Sequence, residues 1–107
     1  MTINEFNSLT ARNRLVLVDF YATWCGPCKA MHPILDAIEQ QFGSSVDVLR
    51  VDVDQYESVG LVQHFRVMSV PTLMFFRRGR MLWRNSGMVT LETVVDIICR
   101  YDRVEVY

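Results

Sequence analysis

Hydrophobic residues fall into segments with two distinct periods. Leu15-Val16-Leu17-Val18-Asp19-Phe20-Tyr21 is apolar at odd and even positions alike, which predicts a central strand covered on both faces. Ahead of it, Thr2-Ile3-Asn4-Glu5 matches a capping box, predicting a helix from Ile3 to Ala11 with Phe6 and Leu9 buried. After it, Met31, Leu35, Ile38 and Phe42 recur at helical spacing, so an amphipathic helix should run from Cys25 to Phe42. Pro33 should kink that helix, and Gly43 should end it as a C′ residue. Val46 to Val53 reads as a second buried strand, and Tyr56 to Phe65 as a helix weakened by Gly60. Val70-Pro71-Thr72 opens a third strand, Leu73 to Arg77. Arg78-Gly79 turns it into a fourth, Met81 to Arg84, which Gly87 breaks. Thr90 caps a last helix with Leu91, Val94, Val95 and Ile98 inward. Strands alternating with helices and then a hairpin predict an α/β sandwich with a mixed sheet.

Composition narrows the class. With 107 residues, half of them hydrophobic, the chain is one domain, residues 1–107, large enough for a core without staples. A net charge of −1 gives no field that would steer it to nucleic acid or a membrane. Met1 to Glu5 has no basic n-region or long apolar stretch, and no run reaches membrane-span length; a soluble, cytoplasmic protein is expected. Three cysteines do not make a disulfide framework.

The chemistry concentrates at Trp24-Cys25-Gly26-Pro27-Cys28-Lys29, where the central strand feeds the long helix. Unsatisfied N–H groups and the dipole at a helix N-terminus favour a thiolate, so Cys25 is the candidate nucleophile, partly exposed beside Trp24. Cys28, about one turn in and more buried, suits a resolving thiol. The alternative is half a zinc site, but His32, His64 and Cys99 lack ligand spacing, so no metal is expected. Asp19 breaks an apolar strand. It is either a buried acid of raised pKa that exchanges a proton with Cys28 or a strand residue whose side chain escapes to solvent. Cys99 reads as a buried, inert thiol and His32 as a surface histidine. Arg77, Arg78, Arg80 and Arg84 read as a solvated face. No glycine-rich phosphate loop is present, and no cofactor is expected.

Asp19 to Lys29, with Pro33 following, Val70-Pro71-Thr72 downstream, and glycines at 79 and 87, resembles the thioredoxin family over nearly the whole chain. The resemblance implies a thioredoxin fold, three-layer α/β/α with a central mixed sheet of about four strands, and protein-disulfide reduction. It implies Asp19 as a buried proton relay and a cis bond before Pro71. It also implies a docking surface of Trp24, Val70, Pro71 and Gly87 with Gly26, Pro27 and Met88, and a reducing pair tuned by Gly26, Pro27, Trp24 and Lys29. The implied partners are disulfide-containing protein substrates and an NADPH-dependent thioredoxin reductase.

Three departures stand out. The family's N-terminal edge strand is missing, leaving Val46–Val53 as an open edge. A monomer is expected, with a dimer through that edge, or pairing by the tail Arg103 to Tyr107, as the alternative. The Asp54–Thr72 stretch is two residues longer than usual around Tyr56 to Ser58, and Tyr21 and Ser86 stand where tryptophan and valine are common. Two rival functions share the fold: an oxidase or isomerase, and an assembly module whose role does not need the thiols.

Overall fold

The computed structural model describes the backbone of residues 1–106 and side chains through Asp102. The elements run α1 (Ile3–Thr10), β1 (Leu15–Tyr21), α2 (Gly26–Phe42), β2 (Val46–Asp52), α3 (Val59–His64), β3 (Thr72–Arg77), β4 (Arg80–Ser86) and α4 (Leu91–Val106). The strands form one sheet in the order β2-β1-β3-β4. β2 is parallel to β1, and the other pairs are antiparallel.

Because β1 has neighbours on both sides and helices on both faces, all its residues but Tyr21 are buried. Its period of two then sorts the core. Leu15 and Leu17, with Leu73 and Phe75 of β3, pack against Met31, Leu35 and Ile38 of α2 and Val94, Ile97 and Ile98 of α4. Val16, Val18 and Phe20, with Met74 and Phe76, pack on the opposite side with Phe6 of α1 and Leu61 of α3. The mixed sheet is thus as the pattern predicts, and the three-layer arrangement with four strands is as the family resemblance implies. β2 forms an open edge, with no strand on its outer side among the described residues.

Local chemistry sets the element ends. The capping box forms as expected: the Glu5 N–H donates to Thr2 Oγ1 at 3.2 Å, and the Thr2 N–H donates to Glu5 Oε1 at 3.1 Å. Arg78 and Gly79 both have positive φ, the backbone of a two-residue hairpin turn, at 53° and 76°. The longer stretch after Asp54 is taken up by a 3-10 turn at Tyr56–Ser58 ahead of α3. There the N-terminal ammonium docks on Glu57 and Ser58.

Several expectations need correction. α1 stops at Thr10, and Thr10 rather than Leu9 is buried with Phe6, because its hydroxyl donates to the Phe6 carbonyl at 2.9 Å. Gly43 is right-handed, not a left-handed C′ residue; a Cβ there would lie 2.5 Å from the Glu39 carbonyl oxygen, so close approach explains the glycine. β2 is half-buried at most positions, since an edge strand lacks a neighbour on one side. α4 buries Ile97 as well as Val94 and Ile98, which turns Cys99 outward to solvent rather than into the core. The tail does not add a strand: its backbone continues α4 to Val106, and Tyr107 and the side chains from Arg103 lie outside the described residues.

Leu17 is fully buried between α2, α4 and β3. Leu17→Ala should lower the unfolding free energy by about 2–5 kcal/mol, read from urea denaturation of the oxidised protein.

Candidate active site

β1 ends at Tyr21 and the chain passes through Ala22, Thr23 and Trp24 to Cys25, the N-cap of α2. An N-cap side chain accepts from the backbone N–H groups that have no helical partner. Here the acceptor is sulfur: the Cys28 N–H donates to Cys25 Sγ at 3.2 Å. Gly26 and Pro27 fill the first two helical positions, where a proline's missing N–H costs nothing. Cys25 and Cys28 are paired as a disulfide, their Cα atoms 5.2 Å apart. α2 continues through Pro33 without ending there.

A second segment meets the sulfurs from β3. The Val70–Pro71 bond is cis, and it brings the Val70 carbonyl oxygen to 3.7 Å from Cys25 Sγ. Gly87, at φ 98°, donates its N–H to the Pro71 carbonyl at 2.8 Å, tying the end of β4 to this loop. That φ favours glycine because other residues carry a Cβ penalty there. Ala22, Cys25 and Cys28 form a small cluster with Tyr21, Val53 and Val70 around them.

Exposure differs across the site. Cys28 is fully buried, and Cys25 is 5% exposed, more enclosed than its position at a helix tip suggests. Pro71 is also buried. Exposed apolar side chains here include Trp24 at 71%, Met68 at 91% and Met88 at 48%, and Gly26 and Pro27 are exposed too. Trp24 is held upright by its Nε1–H, which donates to Asp54 Oδ2 at 2.7 Å. Beyond it lies a groove of about 240 Å³ lined by Trp24, Val53, Val62, Val67, Met68 and Val70, continuous with the Val70 backbone. Lys29 is exposed one turn past Cys25.

Asp19 shares the α2 face of β1 with Leu15 and Leu17 and is fully buried. Among the described residues neither carboxylate oxygen has a hydrogen-bond partner. Burial therefore pushes its pKa up from 3.8 to about 6, partly opposed by Arg50 on β2. The escape of this side chain to solvent, left open by the sequence, does not occur. Among the described residues no three His, Cys, Asp or Glu side chains are placed to hold a metal ion.

Two contributors were not legible beforehand. Asp54 gave no signal, because its partner Trp24 lies 30 residues away. Arg50 could have been found as the one basic residue within the apolar run Val46 to Val53. His32, expected at the surface, is half-buried between Tyr21 and Arg50.

Two sulfurs that close at a helix tip, with a peptide carbonyl beside the outer one, are suited to exchanging a disulfide with another chain. That defines the class as thiol–disulfide oxidoreductases. The sequence matches the Thioredoxin family model over residues 1–100. It is 42% identical over 86 residues to Thioredoxin-1 of Saccharomyces cerevisiae, spanning 80% of this chain and 81% of that one. Thioredoxin-1 of Drosophila melanogaster is 39% identical over 88 residues, covering 80% of each. The fold matches the crystal structure of the Malassezia sympodialis thioredoxin Mala s 13 with a TM-score of 0.80 and 30% identity, over 92% of this chain and 84% of that one. The chain belongs to the thioredoxin family and functions as a protein-disulfide reductase.

The buried carboxyl couples stability to pH. Its folded pKa lies above the unfolded value, so the native state binds the proton more tightly between the two. Stability should fall as pH rises from about 4 to about 6 and level off above that. Asp19→Asn should stabilise the oxidised protein by about 3 kcal/mol at pH 7 and by little below pH 4, measured by urea unfolding at both.

Proposed function

We propose that Cys25 is the nucleophile, Cys28 the resolving thiol and Asp19 the group that takes the Cys28 proton. The observation that carries this is the Cys28 N–H directed at Cys25 Sγ, which in the dithiol would stabilise a Cys25 thiolate. That thiolate attacks one sulfur of a substrate disulfide. The Cys25–substrate bond forms as the substrate's own S–S bond breaks, and the departing thiolate takes a proton from solvent. Asp19, ionised near neutral pH, accepts the Cys28 proton through an intervening water. Cys28 then attacks Cys25 Sγ, forming the internal disulfide and releasing the substrate as a dithiol. Two electrons have passed to the substrate.

The remaining residues bind and tune. Val70 offers backbone hydrogen bonds to an extended segment of the substrate, as an edge strand would. Trp24 and Gly87, with Pro71 shaping the loop, complete the docking face. Gly26, Pro27 and Lys29 set the helix start and its charge.

Regeneration requires a two-electron donor, in this reading an NADPH-dependent thioredoxin reductase, so the protein acts in electron transport. A reducing compartment such as the cytoplasm suits that role. Residues 1–107 act as one domain and as a monomer. The open β2 edge is the route by which two copies would pair.

Cys25→Ser should abolish insulin-disulfide reduction. Cys28→Ser should instead accumulate a covalent complex with a disulfide substrate, visible on non-reducing gels and lost with dithiothreitol. If Cys28→Ser trapped nothing while Cys25→Ser did, the two roles would be reversed.

A further inference from the structure

Arg50 is the charged residue that the sheet register sets beside Asp19; the two are Cα partners across β1 and β2. Both point to the α2 face, since Arg50 alternates with Val51 and Leu49, which pack on the other side. A buried carboxylate beside an arginine would ordinarily take its hydrogen bonds. Here it does not: among the described residues neither Asp19 oxygen has a hydrogen-bond partner.

The guanidinium is engaged elsewhere. Its NH2 group donates to Asp36 Oδ1 at 2.7 Å and to Glu39 Oε1 at 2.5 Å, and its NH1 group lies 3.3 Å from His32 Nδ1. All three partners sit on α2, at spacings of four and three that place them on one helical face. Arginine has donors only, so Nδ1 is the acceptor in this contact. The same ring meets Tyr21 edge-on, with centroids 5.5 Å apart, which fixes its orientation. Three groups from α2 thus grip the cation nearest to Asp19.

β2 also carries Asp52, two residues on from Arg50 and paired with Tyr21, and the other elements offer few charges. On β3 the partner of Asp19 is Leu73. α4 turns Val94, Ile97 and Ile98 towards the sheet, none of them titratable. Tyr21 follows on β1, and α2 adds Cys25, Cys28 and the exposed Lys29. The position of the Arg50 guanidinium is therefore the main electrostatic variable at the carboxyl. Exposed ion pairs contribute only about 0–1 kcal/mol each, so the grip of Asp36 and Glu39 on Arg50 has little weight as a stabilising device. Its effect on where the cation sits is the larger consequence.

We propose that His32, Asp36 and Glu39 are positioning residues that hold the Arg50 guanidinium off the Asp19 carboxyl and so set its proton affinity. The consequence for turnover rests on the reading of Asp19 as proton acceptor; the consequence for titration does not. Removing the two α2 carboxylates both frees the cation and deletes negative charge, and each change favours ionised Asp19. Removing the Arg50 charge acts in the opposite sense. The two changes should displace one midpoint in opposite directions, which a purely structural role would not do.

The test is a carbon-13 titration of the aspartate carboxyls in the oxidised full-length protein and its variants. Asp36→Asn with Glu39→Gln, at exposed positions that leave the core intact, should lower the Asp19 midpoint, on the order of threefold in proton affinity. Arg50→Gln should raise it by a similar factor. His32→Gln, which keeps an acceptor for Arg50, should leave it in place, and His32→Ala should lower it. An unmoved midpoint in the double variant, or shifts of the same sign in the double variant and Arg50→Gln, would overturn the proposal. The pH profile of disulfide reduction in the same variants separates the two readings. If it fails to follow a midpoint that has moved, Asp19 is not the proton acceptor but the clasp stands.

Discussion

The two-sided burial of β1 is the constraint from which the rest of the structure follows. A strand with hydrogen-bonded neighbours on both edges and helices on both faces must be apolar at nearly every position. A single carboxylate in such a strand has nowhere to reach water. Asp19 therefore carries a proton affinity that an exposed aspartate would not have. The same alternation that sends Leu15 and Leu17 to α2 sends Asp19 there too, onto the face roofed by the helix that begins at the cysteines.

The other parts of the site are a helix N-terminus and loops that gather where that strand ends. The sulfur of Cys25 occupies the place of an ordinary capping oxygen, so the same N–H that the helix must satisfy polarises that sulfur. The loop before β3 comes to it through a cis-proline bond, and the Gly87 N–H holds that loop from behind. Enclosure has a chemical result. Cys25 is nearly covered while Trp24 stands clear, so the outer sulfur is approached past an apolar rim.

Much of this was legible because it rests on short-range patterns. The capping box, the period of β1, the α2 stripe and the Arg78-Gly79 turn are each contained within a few residues, and each forms as read. The Cys25–Cys28 pair was legible for the same reason, whereas the cis bond before Pro71 was legible only through the family resemblance. What escaped depends on register between distant segments. Arg50 lies beside Asp19 in register only because β2 pairs with β1, and Asp54 meets Trp24 from 30 residues away. Cys99 was misplaced because its burial depends on how α4 is rotated about its axis, and its neighbours Ile97 and Ile98 take the inner face. The tail alternates like a strand, yet it extends α4, whose hydrogen bonds are already in place.

The surface charge has one further consequence. Ten of the eleven basic side chains are arginine, which stays protonated and does not react as an amine. The single lysine, Lys29, is exposed one turn from Cys25, and the α-amine of Met1 is occupied by Glu57 and Ser58. Acylating reagents therefore meet a single side-chain amine in this sequence, and it stands at the mouth of the redox centre. A fluorophore or cross-linker attached there would report on docking without introducing a cysteine.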